Sequence, residues 1–262
     1  MFIPFYDSNP HRYIKYCFVT WALIAANTIV FLLTLTDPDA LQSSALSFGL
    51  IPAVFNDTVD LPADFLAVPG WVTLLTYSFL HGDIWHLFGN MIFLWVFADN
   101  VEDALGHWRF LAFYCLCAIG AGYVHVLAGP FSEAPVIGAS GAVAGIVAGY
   151  LILYPYSKVW ILALGRIPLR LRSYWVLGFW AGYQVFQVLV AEPGEIAWWT
   201  HVGGFVTGAV LVLLLRRRGV VLFGYDPEPA EAAAGNVDEA ATGPIGSAAP
   251  EAAPTRSKGS WE

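Results

Sequence analysis

Charge is scarce in this chain. Of its 262 residues only 12% are Asp, Glu, Lys or Arg, about half the share found in a soluble globular domain. Cysteine is scarcer: Cys17, Cys115 and Cys117 are all there is. They read as small packing residues in apolar runs, and no disulfide framework is implied. Apart from Arg256 and Lys258 in the tail, the basic residues sit near the ends of apolar runs, where they read as topology signals, and nothing in them suggests nucleic acid. No His-Glu-x-x-His occurs, so the zinc hydrolase site built on that spacing is excluded. Asp83 and Asp99 lie only at the ends of apolar runs, which excludes a catalytic aspartate pair inside them. Repeated halves with interrupted helices, common in transporters, are missing. No metal site and no cofactor is expected.

What is abundant is hydrocarbon. Hydrophobic residues make up 58% of the chain and the mean hydropathy is +0.62, which places it with multi-span membrane proteins. Six stretches are long enough to cross a bilayer, at roughly 16–36, 84–101, 108–128, 136–154, 174–191 and 198–215. The first is too long, and too poorly followed by small residues, to be a removable signal peptide. If the spans alternate, Arg12, Lys15, Arg109, Lys158, Arg166, Arg170, Arg172 and Arg216-Arg217-Arg218 all fall on one side. The opposite segments carry Asp37, Asp39, Asp57, Asp60, Asp64, Glu133, Glu192 and Glu195 and no Lys or Arg. The positive-inside rule then puts both termini in the cytoplasm. The expected fold is an all-α membrane protein: residues 1–15 cytoplasmic, a membrane domain over 16–218, and a tail over 219–262. The net charge of −8 owes much to seven acidic residues after Gly219, in a tail rich in Ala and Pro. Such a composition buries too little surface to offset its ordering entropy, so the tail is expected to be disordered.

Polar residues inside the spans are fewer and more telling. Ser140 lies in Gly138-Ala139-Ser140-Gly141, at the head of an apolar run reaching Tyr154. His201 heads the last run, and an imidazole in a bilayer is a functional hypothesis by default. His86 and Asn90 are four apart, which stacks them on one helical face. At a rise of 1.5 Å per residue, Ser140 and His201 each stand roughly 21 Å above the inner end of their span, and His86 roughly 18 Å. In a core of about 30 Å the three share one layer near the outer face. Gly141, Gly145 and Gly149 stripe one helix, and Gly204 and Gly208 stripe the histidine's helix. Small residues every fourth position let helices approach closely in lipid, and a serine–histidine hydrogen bond requires that approach.

Other polar residues read as structural. His81 reads as an interfacial histidine at a helix cap, and His125 as a packing residue. Glu102, Asp103 and Arg109 read as a pairing group around a tight cytoplasmic turn. Gln184 and Gln187 are the polar interruptions of an aromatic fifth span, and 192–199 a short, flexible turn. The segment 37–83 reads as interfacial, its prolines preventing one continuous helix.

Taken together, His86-x-x-x-Asn90, Gly138-x-Ser140-Gly141 and His201-x-x-Gly204-x-x-x-Gly208 resemble a rhomboid intramembrane serine protease over roughly 16–218. The resemblance implies a six-transmembrane-helix bundle with a large, partly membrane-immersed first external loop. It implies Ser140 as nucleophile and His201 as general base, then acid, with His86, Asn90 and the Ser140 backbone N–H as oxyanion donors. It implies the fifth span and the following cap as the substrate gate, and single-pass transmembrane proteins as substrates, cut near the outer leaflet. The chemistry agrees: one histidine can take the serine proton and return it to the leaving nitrogen, and an oxyanion in low dielectric needs fixed donors. No acidic residue stands at that depth to orient His201, so a dyad is expected. Many family members carry an aromatic residue one turn after the serine; here it is Ala144, and His201 is expected to be held by Trp198 or Trp199 instead. Where some members have Trp-Arg in the first external loop, this chain has Trp71-Val72. A catalytically silent relative that binds membrane proteins, or a small transporter, is the alternative. The expected host is a bacterial-type plasma membrane, with the lipid bilayer as the other partner and no nucleic acid.

Overall fold

A computed structural model describes residues 2–35, 38–190 and 198–224. The expected tail and the turn 192–197 thus lie largely outside the described residues. The chain starts with strand β1 (Phe2–Asp7) and continues into helix α1 (Phe18–Thr34). The segment expected to be interfacial folds as short pieces: α2 (Pro38–Phe48), α3 (Pro52–Phe55) and α4 (Gly70–Thr76), with single 3-10 turns between and after them. Proline does set these breaks. Pro52 opens α3, and Pro62 and Pro69 occupy positions just before the next two helical starts, where a missing N–H costs nothing.

The second apolar run is one composite helix. It begins as α5 (Ile84–Phe93), widens to a π-turn at Leu94–Ala98, and ends as α6 (Asp99–Leu105). Then come α7 (His107–Ala128), α8 (Ser140–Leu153), strands β2 (Lys158–Ala163) and β3 (Ile167–Arg172), α9 (Ser173–Val190) and α10 (Trp198–Leu215). Every expected apolar run therefore carries a helix. Among the described residues, α7 and α10 are long and apolar enough to cross a membrane, and α1 and α8 are apolar but shorter.

The all-α expectation needs a correction, because the molecule is mostly helical but includes a sheet. β1, β2 and β3 form one antiparallel sheet in that order. Lys158, Arg166, Arg170 and Arg172, read from the sequence as topology signals, lie on or beside a hairpin whose turn places Leu164 and Gly165 at positive φ, 53° and 69°. In β3, Ile167, Leu169 and Leu171 alternate with Pro168, Arg170 and Arg172, a period of two that suits a strand and not a helix.

The core gathers around α8, whose buried face includes Val143, Ile146, Val147 and Tyr150. Its glycine stripe meets that of α10 at van der Waals limits. A Cβ at Gly204 would stand 1.8 Å from the Gly141 carbonyl oxygen, and one at Gly208 2.3 Å from that of Gly145. No other residue fits there, and this backbone contact is what brings the heads of the two helices together.

The α6 end is tied by carboxylates, though not to Arg109 as expected. Glu102 is fully buried and accepts from the backbone N–H of Val19 (3.2 Å) and Thr20 (2.8 Å), from the Thr20 hydroxyl (2.7 Å) and from His107. It thereby serves the open N–H groups at the start of α1. Asp103 accepts from the N–H groups of Arg12, Tyr13 and Ile14 at 2.9, 2.8 and 2.7 Å.

Candidate active site

The serine loop is pinned before the helix begins. Val136 and Leu50 exchange backbone hydrogen bonds of 3.0 and 2.8 Å, and the Gly138 N–H donates to the Tyr77 carbonyl at 2.9 Å. Tyr77, itself buried, donates its hydroxyl to the Ala118 carbonyl on α7 at 3.0 Å. Gly138 has φ of 128°, and a Cβ there would lie 2.6 Å from the His86 ring. Only glycine combines that backbone angle with room for the imidazole. Two residues later Ser140 starts α8, where first-turn N–H groups have no acceptor within the helix.

His201 lies in the first turn of α10 and is 9% exposed. Its Nε2 is 2.8 Å from Ser140 Oγ and its Nδ1 is 2.8 Å from Gln184 Oε1 on α9. Trp198 meets the imidazole edge-on, with ring centres 5.7 Å apart, and Trp180 lies 6.1 Å away. Of the two tryptophans expected to hold the ring, Trp198 touches it; the contributions of Trp180 and Gln184 were not foreseen. Ala144, one turn after the serine, is fully buried.

On the other wall, Asp83 caps α5, its Oδ1 accepting from the N–H groups of Trp85 and His86 at 2.7 and 2.9 Å. That corrects the assignment of His81, which does not cap the helix but is wholly buried with its ring edge-on to His86 at 5.2 Å. Burial, and to a lesser extent the neighbouring His86, push its imidazole down to about 4, so His81 is neutral near pH 7. Asn90 is buried and donates one amide hydrogen to the His86 carbonyl at 3.1 Å, which leaves a second amide hydrogen. Ser140, His201, His86, Asn90, Trp180 and Gln184 all border one cavity of about 1330 Å³. His125, expected to pack, also reaches its wall. No group of three or more metal-ligating side chains occurs among the described residues.

The family described as the Rhomboid domain matches residues 68–218, more than half of the chain. This chain belongs to the rhomboid family.

Among curated relatives, this rhomboid is 30% identical over 148 residues to "Rhomboid protein 1, mitochondrial" of Saccharomyces cerevisiae, covering 53% of this chain and 40% of that protein. It is 31% identical over 161 residues to "Rhomboid-like protein 11, chloroplastic" of Arabidopsis thaliana, covering 57% and 54%. With the human "Presenilin-associated rhomboid-like protein, mitochondrial" it shares 27% over 146 residues, covering 52% and 35%. The chain thus spans about half the length of these relatives, or less. Rhomboids are membrane-embedded, as expected here, but the organellar names do not match the expected bacterial-type plasma membrane.

Proposed function

We propose that this rhomboid is an intramembrane serine endopeptidase working through a Ser140–His201 dyad. The observation that carries the reading is the 2.8 Å contact between His201 Nε2 and Ser140 Oγ on the wall of a cavity of about 1330 Å³. His201 Nε2 takes the hydroxyl proton as Oγ attacks the scissile carbonyl. The oxyanion receives hydrogen bonds from the Ser140 N–H, the free amide hydrogen of Asn90 and the His86 ring. As the tetrahedral species collapses, His201 returns the proton to the departing nitrogen, leaving an acyl ester on Ser140. Water deprotonated by His201 then hydrolyses the ester.

In this reading the six apolar helices all cross the bilayer, as a membrane domain over 16–218 with both termini and the tail 219–262 in the cytoplasm. Support comes from the one-sided distribution of Lys and Arg. The segment 37–83 is half-immersed, and α9 with the turn after it admits the substrate, a single-pass transmembrane segment opened near the outer leaflet.

The test is labelling by a fluorophosphonate probe in detergent, with cleavage of a model transmembrane substrate measured in parallel. Wild type labels and cleaves; Ser140→Ala and His201→Ala do neither. Labelling that persists in Ser140→Ala removes the nucleophile assignment. A folded wild type without labelling or cleavage favours the silent binding protein, and solute flux surviving Ser140→Ala favours transport.

A further inference from the structure

A dyad histidine must present one nitrogen to the serine in the right protonation state, and something must hold it there. Here no aromatic ring follows the serine on α8, since Ala144 occupies that turn. The polar partner of the imidazole is Gln184, 2.8 Å from Nδ1 through its Oε1 and only 6% exposed. The amide is itself anchored: its Nε2 donates to the Trp180 carbonyl one turn back at 3.1 Å. That bond turns Oε1 toward the ring, and an amide oxygen can only accept. A neutral imidazole facing it must therefore carry its proton on Nδ1, leaving the Nε2 lone pair for the Ser140 hydroxyl.

We infer that Gln184 is a positioning residue that fixes the tautomer and plane of His201, making the site a serine–histidine pair with an uncharged third member. The inference rests on the protease reading above. The proton path is unchanged by it: the Oγ proton moves to Nε2 and on to the leaving nitrogen, while Nδ1 keeps its own proton against Oε1. Unlike the carboxylate of a triad, an amide holds the ring without a negative charge to stabilise the imidazolium. Among the described residues, the other ionisable groups bordering the cavity are Tyr77, Asp83, His86, His125 and Tyr183.

The experiment uses the full chain in detergent with a model transmembrane substrate. Gln184→Leu keeps the bulk and loses the acceptor; Gln184→Glu keeps an oxygen in the same place. In Gln184→Leu, kcat falls about tenfold, equivalent to ~1.4 kcal/mol, while KM and the thermal unfolding midpoint stay at wild-type values. Gln184→Glu retains most of kcat, and the acid limb of its pH–rate profile moves to higher pH, because an adjacent carboxylate favours the protonated ring. Wild-type kcat and pH profile in Gln184→Leu overturn the inference. So does an equal loss in both variants that tracks a lowered unfolding midpoint and a raised KM, the mark of packing alone. Cleavage surviving in Ser140→Ala or His201→Ala would instead sink the Ser140–His201 dyad, and a folded wild type that cleaves nothing would sink the protease reading, so the failures are distinguishable.

Discussion

Helix α8 carries a polar side chain at each end, and the two ends use polarity differently. At its start, Ser140 and His201 share a hydrogen bond on the wall of a cavity. Toward its other end, the Tyr150 hydroxyl donates to Asp7 Oδ2 at 2.6 Å, and Asn100 donates to the same oxygen at 2.8 Å. Asn9 donates to Asn100 at 2.7 Å, and Glu102 and Asp103 close the set on backbone N–H groups of α1 and the segment before it. Buried polar groups joined to the backbone hold elements together. Polar groups that border a cavity, with an imidazole beside a hydroxyl, are the ones the proposed protease reading uses. Burial alone does not tell the two apart; the destination of the hydrogen bonds does.

Single substitutions sharpen this contrast. The largest effect is expected at the cavity: Ser140→Ala lowers the cleavage rate on the order of 10⁴-fold or more and leaves the unfolding curve in place. At the opposite end the split reverses. Glu102→Ala strands several buried donors and lowers unfolding stability by about 3–5 kcal/mol, while the folded fraction keeps its kcat; thermal unfolding and active-site titration measure the two. An equal fall in kcat per folded molecule would break the comparison.

Gly204→Ala links the two ends. Its Cβ would meet the Gly141 carbonyl oxygen at 1.8 Å, so α10 must withdraw. Overpacking of this kind costs about 1–3 kcal/mol, and displacement of His201 slows fluorophosphonate labelling further. Unchanged labelling in a folded Gly204→Ala protein would show that the glycine contact does not set the serine–histidine distance.

A separate contrast lies in pH dependence. Burial, with the Asp99 charge adding to it and the Tyr150 hydrogen bond opposing it, raises the Asp7 carboxyl from 3.8 to about 8. Between those values the unfolded chain has released a proton that the folded one retains. Stability therefore falls as pH rises from about 4 to about 8 and levels beyond. Asp7→Asn is expected to flatten that slope in thermal unfolding across the same window; an unaltered slope assigns it to another group.

The helices were legible in the sequence because hydropathy is a local property. The expected run 198–215 coincides with α10, and 136–154 differs from α8 only at its ends, where glycine and alanine carry little signal. The apposition of Ser140 and His201 was legible too, since helical rise gave their depth and the glycine stripes gave their separation. The hairpin of β2 and β3 had a signal in the alternation of Ile167 to Arg172, overshadowed by the reading of its arginines as topology markers.

Other features had no linear signature. Gln184 and Gln187 look alike on an aromatic helix, and only the rotation of α9 against α10 gives Gln184 to His201 Nδ1. Glu102 and Asp103 looked like partners for the nearest arginine, yet they serve backbone groups about 80 to 90 positions earlier. Hydrophobicity, spacing and rise run along one dimension and are written in the chain. Which buried acceptor meets which donor depends on how separate helices turn toward one another, and packing in three dimensions decided that.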